Sequence, residues 1–177
     1  MDLAAHQRAL LGLLENDAAD LAGEDDREYL QEVAASDGLR VLREIVSAWE
    51  AYDVRRSCPL TTFALERSGR FDETVSAVRF EASSAYLESR RALFLDEVAR
   101  TETGTVASVA RFERALYAVG NGDPGRYVIE WDRDPVVIIN GLLERRWLGD
   151  SASEGRYCTV VAADLPGYVS VEPAPTH

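Results

Sequence analysis

The change of pattern near residue 120 is the feature that most constrains how this chain folds. Before it, apolar residues recur at spacings of three and four, which is typical of amphipathic helices. The segment Gly120–Arg126, GNGDPGR, has the composition of a turn or linker. After it, short stretches rich in apolar residues are typical of strands. The sequence therefore predicts an α+β fold, with an all-helical domain over residues 1–120 and a small α/β unit over residues 121–177.

Helices are predicted over most of the first 120 residues. The apolar spacing places them at 3–16, 29–36, 60–67, 71–78, 86–98 and 106–120. Asp25 or Asp26 is expected to cap the second of these helices, because a short acidic side chain accepts hydrogen bonds from free N–H groups. Asp37 and Gly38 are expected to end that helix.

The clearest helical pattern begins at Leu39. Proline cannot donate the helical hydrogen bond, so this helix is expected to end before Pro59. Its apolar residues form one stripe, which predicts that Trp49 and Tyr52 lie in the core. The stripe consists of Leu39, Leu42, Ile45, Val46, Trp49 and Tyr52.

The C-terminal unit is predicted to be a three-stranded antiparallel sheet with one helix. Strands are predicted at Tyr127–Asp132, Arg156–Ala163 and Tyr168–Glu172, and the last two form a hairpin. Asp134 and Pro135 are a favourable helix start. The following segment, Val136–Arg146, contains a Val-Val-Ile-Ile run that favours a strand, whereas its leucines and arginines favour a helix; we predict a helix.

Charge and hydropathy exclude several classes of protein. The net charge of −12 argues against sequence-independent binding of nucleic acid, which depends on neutralising phosphates. No apolar stretch is long enough to cross a membrane, so no membrane partner is expected. The N-terminus lacks the pattern of a signal peptide, and Cys58 and Cys158 are far apart, so we expect a cytoplasmic protein with reduced thiols.

Residues for catalysis or metal binding are scarce. The two histidines, His6 and His177, lie near opposite termini, and neither has a second histidine at helical spacing. We therefore predict no catalytic residue, no metal site and no cofactor in this chain. The segment GNGDPG matches the dinucleotide fingerprint by letters, but it follows a predicted helix and opens a predicted strand, so we interpret it as a linker.

Arginine pairs and tryptophans leave alternatives open. All nineteen basic residues are arginine, and three pairs stand out, at 55–56, 90–91 and 145–146. They are either solvated helix faces and ends, or clamps for the carboxylates of a partner. Trp131 and Trp147 flank the C-terminal helix and are expected to pack it onto the sheet; the alternative is that one of them lines a groove.

The edges of a small sheet have unpaired backbone groups that can accept an extended peptide as an added strand. The sequence agrees equally well with a sheet edge that is open and with one that the helices cover.

Several segments occur in an order that resembles a known family. They are YDVRRSCPLTTFALERSGRF from Tyr52, then YLESRRALFLDEV, VASVARFERAL, VIEWDRDPVVIINGL and YCTVVAADLPGYVSVEP. From about Leu39 onward, the chain resembles the partner subunits of multinuclear non-haem iron-dependent oxidative enzymes. Those complexes modify ribosomally made precursor peptides, as in methanobactin and 3-thiaglutamate biosynthesis.

The resemblance implies a division of labour between two subunits. The iron cluster and the oxidative chemistry belong to a separate barrel-shaped enzyme, and this chain supplies no catalytic residue. Residues 1–120 are expected to dock on that enzyme, and residues 121–177 to bind the leader segment of the precursor peptide. Holding the leader raises the effective concentration of the reactive residue at the iron site.

The peptide-binding residues are expected on the C-terminal hairpin and beside it. Which strand is the free edge depends on where Tyr127–Asp132 pairs. The candidates are Arg156, Tyr157, Cys158, Thr159, Val160 and Val161 on one strand; Tyr168, Val169, Ser170 and Val171 on the next; and Arg145, Arg146 and Trp147 beside the sheet.

Two other functions compete with this one. A helix followed by a hairpin is also the pattern of a winged helix, so a DNA-binding transcriptional regulator is the alternative, although the acidic charge counts against it. A stand-alone enzyme is the third possibility, and the scarcity of catalytic groups counts against it.

Overall fold

The structure, a computed structural model, describes residues 9, 10, 12–14, 27–78 and 87–173. Residues 9, 10 and 12–14 are helical. The helices that follow are α1 (Arg27–Ala34), α2 (Asp37–Ser57), α3 (Pro59–Arg67), α4 (Phe71–Ala77), α5 (Leu87–Thr101) and α6 (Gly104–Gly120). Then come β1 (Arg126–Arg133), α7 (Pro135–Leu143), β2 (Glu154–Ala162), a short 3-10 turn (Pro166–Tyr168) and β3 (Val169–Pro173).

The predicted fold class is confirmed. Helices precede a three-stranded antiparallel sheet of order β1-β2-β3, with α7 between its first two strands. The three predicted strands are present, with ends that differ by one or two residues.

Contacts along the chain define two compact units, residues 1–52 and 53–177. The second unit joins helices α3–α6 to the sheet, so the predicted boundary at residue 120 does not coincide with this division. The assignment of docking to residues 1–120 and of peptide recognition to residues 121–177 stays a prediction.

The first unit has a small apolar core made of Ala9, Leu13, Leu30 and Leu39. The Arg43 guanidinium donates two hydrogen bonds, of 2.9 and 2.6 Å, to the Leu13 carbonyl. Most of the predicted helix 3–16 and the predicted caps Asp25 and Asp26 lie outside the described residues.

The break between α1 and α2 lies slightly before the predicted position. Asp37 and Gly38 belong to the first turn of α2 and do not end α1. The Ser36 hydroxyl accepts a hydrogen bond of 3.2 Å from the Leu39 N–H, so Ser36 caps α2. Serine is a strong capping residue, and this competes with the turn tendency of Asp-Gly.

The second unit is organised around α6, which packs against α3, α5, β1 and β2. One side of the sheet supplies apolar residues to the same core, because side chains alternate between the two faces of a strand. The buried members of this core are Ala64, Val109, Phe112, Ala115, Val119, Ile129, Trp131, Ile138, Leu142, Ala152 and Val161.

Trp131 is the largest side chain that joins the sheet to the helices. It is 3 % exposed, and its ring meets Phe112 of α6 edge-on at 5.9 Å between centroids. Its indole N–H donates a hydrogen bond of 3.0 Å to the hydroxyl of Thr159, which is fully buried in β2. Trp131 therefore lies in a core shared by α6 and the C-terminal helix, whereas the sequence predicted packing with the C-terminal helix alone.

Helix α7 begins as predicted and ends earlier. The Asp134 carboxylate accepts a hydrogen bond of 2.9 Å from the Val136 N–H. The helix was predicted to reach Arg146, but it ends at Leu143 because Arg145 adopts a left-handed conformation with φ 54°. The Arg146 N–H then bonds back to the Gly141 carbonyl at 2.7 Å. A Cβ at Gly141 would lie 2.7 Å from the Arg146 carbonyl oxygen, so this close turn requires glycine.

The buried Trp131–Thr159 hydrogen bond can be tested by stability measurements. We expect Thr159→Val to lower the free energy of unfolding by about 1–2 kcal/mol, because it leaves a buried N–H without an acceptor. Urea denaturation measures this change. In a Trp131→Phe background, Thr159→Val should cost much less. An equal cost in both backgrounds would show that the hydrogen bond is unimportant.

Candidate functional site

Strand order decides which predicted contact residues have a free backbone. β2 is central: residues Tyr157–Val161 pair with β1 on one side and with β3 on the other. A guest strand therefore cannot add to this segment. The side chains of Cys158, Thr159, Val160 and Val161 are also buried. The sequence left open which of the two candidate segments, Arg156–Val161 or Tyr168–Val171, is the free edge; the sheet order leaves β1 and β3 at the edges, so Arg156–Val161 is not.

β3 is the more open edge. Val169 packs partly against the core, Ser170 is half-buried, and Val171 is 42 % exposed. Tyr168 is exposed just before the strand, with φ 66°. Among the described elements, β2 is the one that makes extensive contact with β3. The second group of predicted contact residues, Tyr168–Val171, therefore lies where an added strand would pair.

Two hydrogen bonds show which way the backbone groups of the sheet point. The Ser108 hydroxyl of α6 donates to the Glu130 carbonyl at 2.7 Å, and the Leu165 N–H donates to the Ala162 carbonyl at 3.3 Å. Both indicate that Glu130 and Ala162 direct their carbonyls away from the β1–β2 ladder. In an antiparallel ladder, residues whose N–H and C=O groups point to one neighbouring strand alternate with residues whose groups point to the other side. Cys158, the partner of Glu130, therefore directs its groups to Glu172 of β3. By the same alternation, the N–H and C=O groups of Val169 and Val171 point outward from β3.

The edge formed by β1 is partly covered by α6. Besides the Ser108 bond to Glu130, the Thr105 hydroxyl donates to the Asp132 carboxylate at 3.2 Å. These contacts use the Glu130 carbonyl and the Asp132 carboxylate, which lie in the second half of β1. An extended peptide therefore meets fewer obstacles at β3 than at β1.

The predicted groove residues differ in their surroundings. Arg145 and Arg146 are exposed and lie after the end of α7, and Arg146 forms an ion pair with Glu144. Trp147 is half-buried against the same core as Val169, which agrees with the expected packing role, and its contact with a peptide stays a prediction. Leu143, at the end of α7, is 68 % exposed and was not among the predicted residues.

Two acidic side chains flank a cysteine in one row across the outer face of the sheet. Glu130 of β1 pairs with Cys158 of β2, and Cys158 pairs with Glu172 of β3. Burial raises the pKa of the Cys158 thiol, and the two carboxylates raise it further. The thiol therefore stays protonated near neutral pH and is a poor nucleophile.

A second titratable cluster lies inside the helical part of this unit. The Glu113 carboxylate of α6 accepts hydrogen bonds from the Leu60 and Thr61 N–H groups, at 3.0 and 2.8 Å. These are free N–H groups at the start of α3, whose N-cap residue, Cys58, provides no side-chain hydrogen bond. Glu113 thus caps α3 from another helix.

Burial dominates the electrostatics of this cluster. It raises the pKa of the Glu113 carboxyl, and the two N–H donors and the nearby Arg91 charge oppose that shift. Burial, followed by the Glu113 charge, raises the pKa of the Cys58 thiol to about 12. A thiol with so high a pKa stays protonated near neutral pH and is a poor nucleophile. An acidic residue on the apolar face of the predicted helix 106–120 was the sequence signal for this cluster.

Most members of the arginine pairs have partners within the chain. Arg55 bonds Glu66 at 2.7 Å and lies over the Phe71 ring at 4.1 Å. Arg90 lies 3.6 Å from Asp53, and Arg91 lies 4.2 Å from the centre of the Tyr117 ring. Arg55 and Arg56 are also exposed in the last turn of α2, which agrees with the predicted alternative of solvated helix ends; the intramolecular contacts were not predicted.

The GNGDPG segment is a turn, as predicted. It follows α6 and precedes β1, and the Asp123 carboxylate accepts hydrogen bonds from the Gly125 N–H at 2.6 Å and the Tyr127 hydroxyl at 2.9 Å. The Gly125 N–H bond is the main reason that the pKa of Asp123 is lowered. This arrangement uses the aspartate to hold the turn before β1.

Trp49 and Tyr52 are exposed, which contradicts the prediction that they lie in the core. Leu39 is buried, but the rest of the stripe on α2 is not: Trp49 is 62 % exposed, and Leu42, Ile45, Val46 and Tyr52 are also exposed. Trp49 and Tyr52 contact each other edge-on at 5.8 Å between ring centroids. We call Leu42, Ile45, Val46, Trp49 and Tyr52 the α2 stripe. Periodicity predicted the apolar face correctly but could not tell what covers it.

Across the described part of the chain, no cluster of three or more histidine, cysteine or acidic residues is arranged to hold a metal ion. His6 and His177 lie outside that part. Within the same residues, none of the helices combines the length and apolarity needed to span a bilayer.

Comparison of the chain with protein-family models, with curated proteins and with solved structures gives no match.

The buried carboxylate of Glu113 predicts a pH dependence of stability. Its folded pKa is raised above the ordinary value of 4.5, so the folded state binds the proton more tightly than the unfolded state. Stability from this group is complete below the unfolded pKa and is lost as the pH rises through the folded pKa. We expect the free energy of unfolding to fall with rising pH more steeply in the wild type than in Glu113→Gln.

Urea denaturation between about pH 4 and about pH 8 measures this difference. Glu97→Gln is the matched control, because Glu97 is only partly buried and its pKa is lowered, chiefly by the hydrogen bond from Arg100. Its effect on the pH dependence should be small and opposite in sign. Identical slopes for the wild type and Glu113→Gln would contradict the prediction.

Proposed function

We propose that this chain is a non-catalytic adaptor that binds an extended peptide as a fourth strand beside β3. The observation that carries the proposal is the edge of β3, which pairs with β2 alone among the described residues and where the N–H and C=O groups of Val169 and Val171 point away from β2. Such groups gain hydrogen bonds when a peptide strand is added, and the neighbouring side chains select the sequence. The reduced chemical reactivity of both cysteines agrees with a binding role.

The partner and the peptide are proposed from the resemblance of the sequence segments. The peptide is the leader segment of a ribosomally made precursor, and the catalytic subunit is a multinuclear non-haem iron enzyme. In this proposal no cofactor is held by the present chain. Its contribution is to tether the precursor, which raises the local concentration of the modified residue at the enzyme.

An adaptor needs a second surface for the enzyme, and we assign that role to the α2 stripe. Aromatic residues are enriched at the centres of protein interfaces, and each buries about 150–250 Å² when covered. The α2 stripe has two such residues, Trp49 and Tyr52, and an apolar surface along one helix face. Covering it removes apolar side chains from water, which favours association.

Peptide binding at β3 can be tested with a proline substitution. Val171→Pro removes an outward N–H without breaking the bonds to β2, since proline is tolerated on edge strands. We expect it to weaken binding about tenfold or more, by loss of one hydrogen bond and by steric conflict. The probe is a peptide selected from a displayed library of short random sequences, and calorimetry measures its affinity.

Val171→Ala is the matched control because it keeps the N–H group and should bind within a few-fold of the wild type. Hydrogen exchange should show that the peptide protects the Val169 and Val171 amides. A peptide that binds Val171→Pro and the wild type equally would rule out β3 as the site. Salt-dependent binding of duplex DNA without peptide binding would favour the regulator alternative.

The docking role of the α2 stripe can be tested with Trp49→Ala. Truncation of a central aromatic side chain commonly costs about 2 kcal/mol or more, so we expect binding of the co-expressed iron enzyme to fall about thirtyfold. Leu143→Ala is the control, because Leu143 is equally exposed but lies outside the α2 stripe. Both variants should keep their affinity for the selected peptide. Unchanged enzyme binding by Trp49→Ala would place the docking surface elsewhere.

A further inference from the structure

Two carboxylates that form no ion pair among the described residues lie on the outer face of the sheet, beside the open edge. The strand register aligns Glu130, Cys158 and Glu172 in one row across β1, β2 and β3. Both glutamates are exposed, and the thiol between them is buried. Glu172 occupies β3, so its carboxylate lies next to the position that an added strand would take.

Two nearby acidic residues, one on β2 and one in the turn after it, differ from this pair because they have cationic partners. Glu154 lies 2.9 Å from Arg133, and Asp164 lies 3.6 Å from Arg126. Among the ion pairs formed within the described residues, Glu130 and Glu172 take part in none. The negative charges of Glu130 and Glu172 both raise the pKa of the Cys158 thiol, in addition to the larger effect of burial.

The opposite face of β3 is apolar. Val169 and Val171 are on the side of the strand that faces the core, and Val171 stays partly exposed at the edge. Successive side chains of a strand point to opposite faces, so a guest strand beside β3 places one residue near Glu172 and the next near Val171. The two faces of β3 thus offer different surroundings to alternate residues of the guest.

Charge decides which guest fits. A strand laid beside β3 removes water from around Glu172, which is unfavourable for a carboxylate that gains no partner. A lysine or arginine at the facing position supplies that partner, whereas an acidic residue adds repulsion. The net charge of −12 favours a basic guest over an acidic one at longer range as well.

We propose that β3 selects an extended peptide segment with a lysine or arginine beside Glu172 and an apolar residue at the neighbouring position beside Val171. This specificity rests on the proposed function, since it requires that a peptide adds to β3. It defines the class of segment by its chemistry: a basic residue adjacent to an apolar one in an extended stretch.

A charge-swap experiment tests this specificity. Peptides are selected on the wild-type chain from a displayed library of short random sequences, and the best binder is made with its basic residue as lysine and, separately, as glutamate. Affinities of both peptides are measured for the wild type, for Glu172→Lys and for Glu28→Lys. Glu28 is an exposed residue of α1, so the last variant makes the same change in net charge far along the chain from β3.

We expect the lysine peptide to bind the wild type about tenfold more tightly than the glutamate peptide at low salt, and this order to reverse with Glu172→Lys. Glu28→Lys should keep the wild-type order. Hydrogen exchange at Val169 and Val171 reports whether each peptide still adds to β3.

Three results would overturn the inference. If peptides add to β3 but those with lysine and glutamate bind equally, the specificity is wrong and the proposed function stands. If Glu28→Lys changes the order as much as Glu172→Lys, the selection comes from net charge and not from this position. If no peptide protects the β3 amides, the proposed function fails and the specificity fails with it.

Discussion

Burial of one face of the sheet under α6 is the constraint on which the second unit depends. Trp131 lies at the centre of this contact, where it meets Phe112 and bonds Thr159. Because α6 lies close to β1 and β2, it also approaches the outer edge of β1 through Ser108. The same packing that builds the core therefore leaves β3 as the open side of the sheet. The candidate site follows from the position of one helix.

The amino-acid sequence predicted local features well because their causes are local. Asp134 and Pro135 predicted the start of α7, and Leu165–Gly167 predicted the turn before β3, through preferences of single residues. The central position of β2 could not be predicted, since strand order depends on pairing between distant segments. Of the candidate contact residues, those on β3 lie at an edge of the sheet and those on β2 do not; peptide binding by either group stays a prediction.

Two further differences between the sequence-based predictions and the structure also come from contacts between distant parts of the chain. The spacing on α2 predicts an apolar face equally well whether that face is covered by this chain or by another, and Trp49 is exposed. Glu113 is part of a helical pattern, but its function depends on the start of α3, more than fifty residues earlier. Periodicity reports which residues share a face, and it does not report what that face meets.

The tight return after α7 has a consequence for finding related chains. Gly141 leaves no space for a side chain beneath the Arg146 carbonyl, and Asp134 and Pro135 begin the same helix. Homologues that keep this geometry should retain an Asp-Pro pair, with a glycine six positions after the proline. This short motif, together with a strand before it and a strand after it, can be used to search for homologues whose overall sequence identity is low.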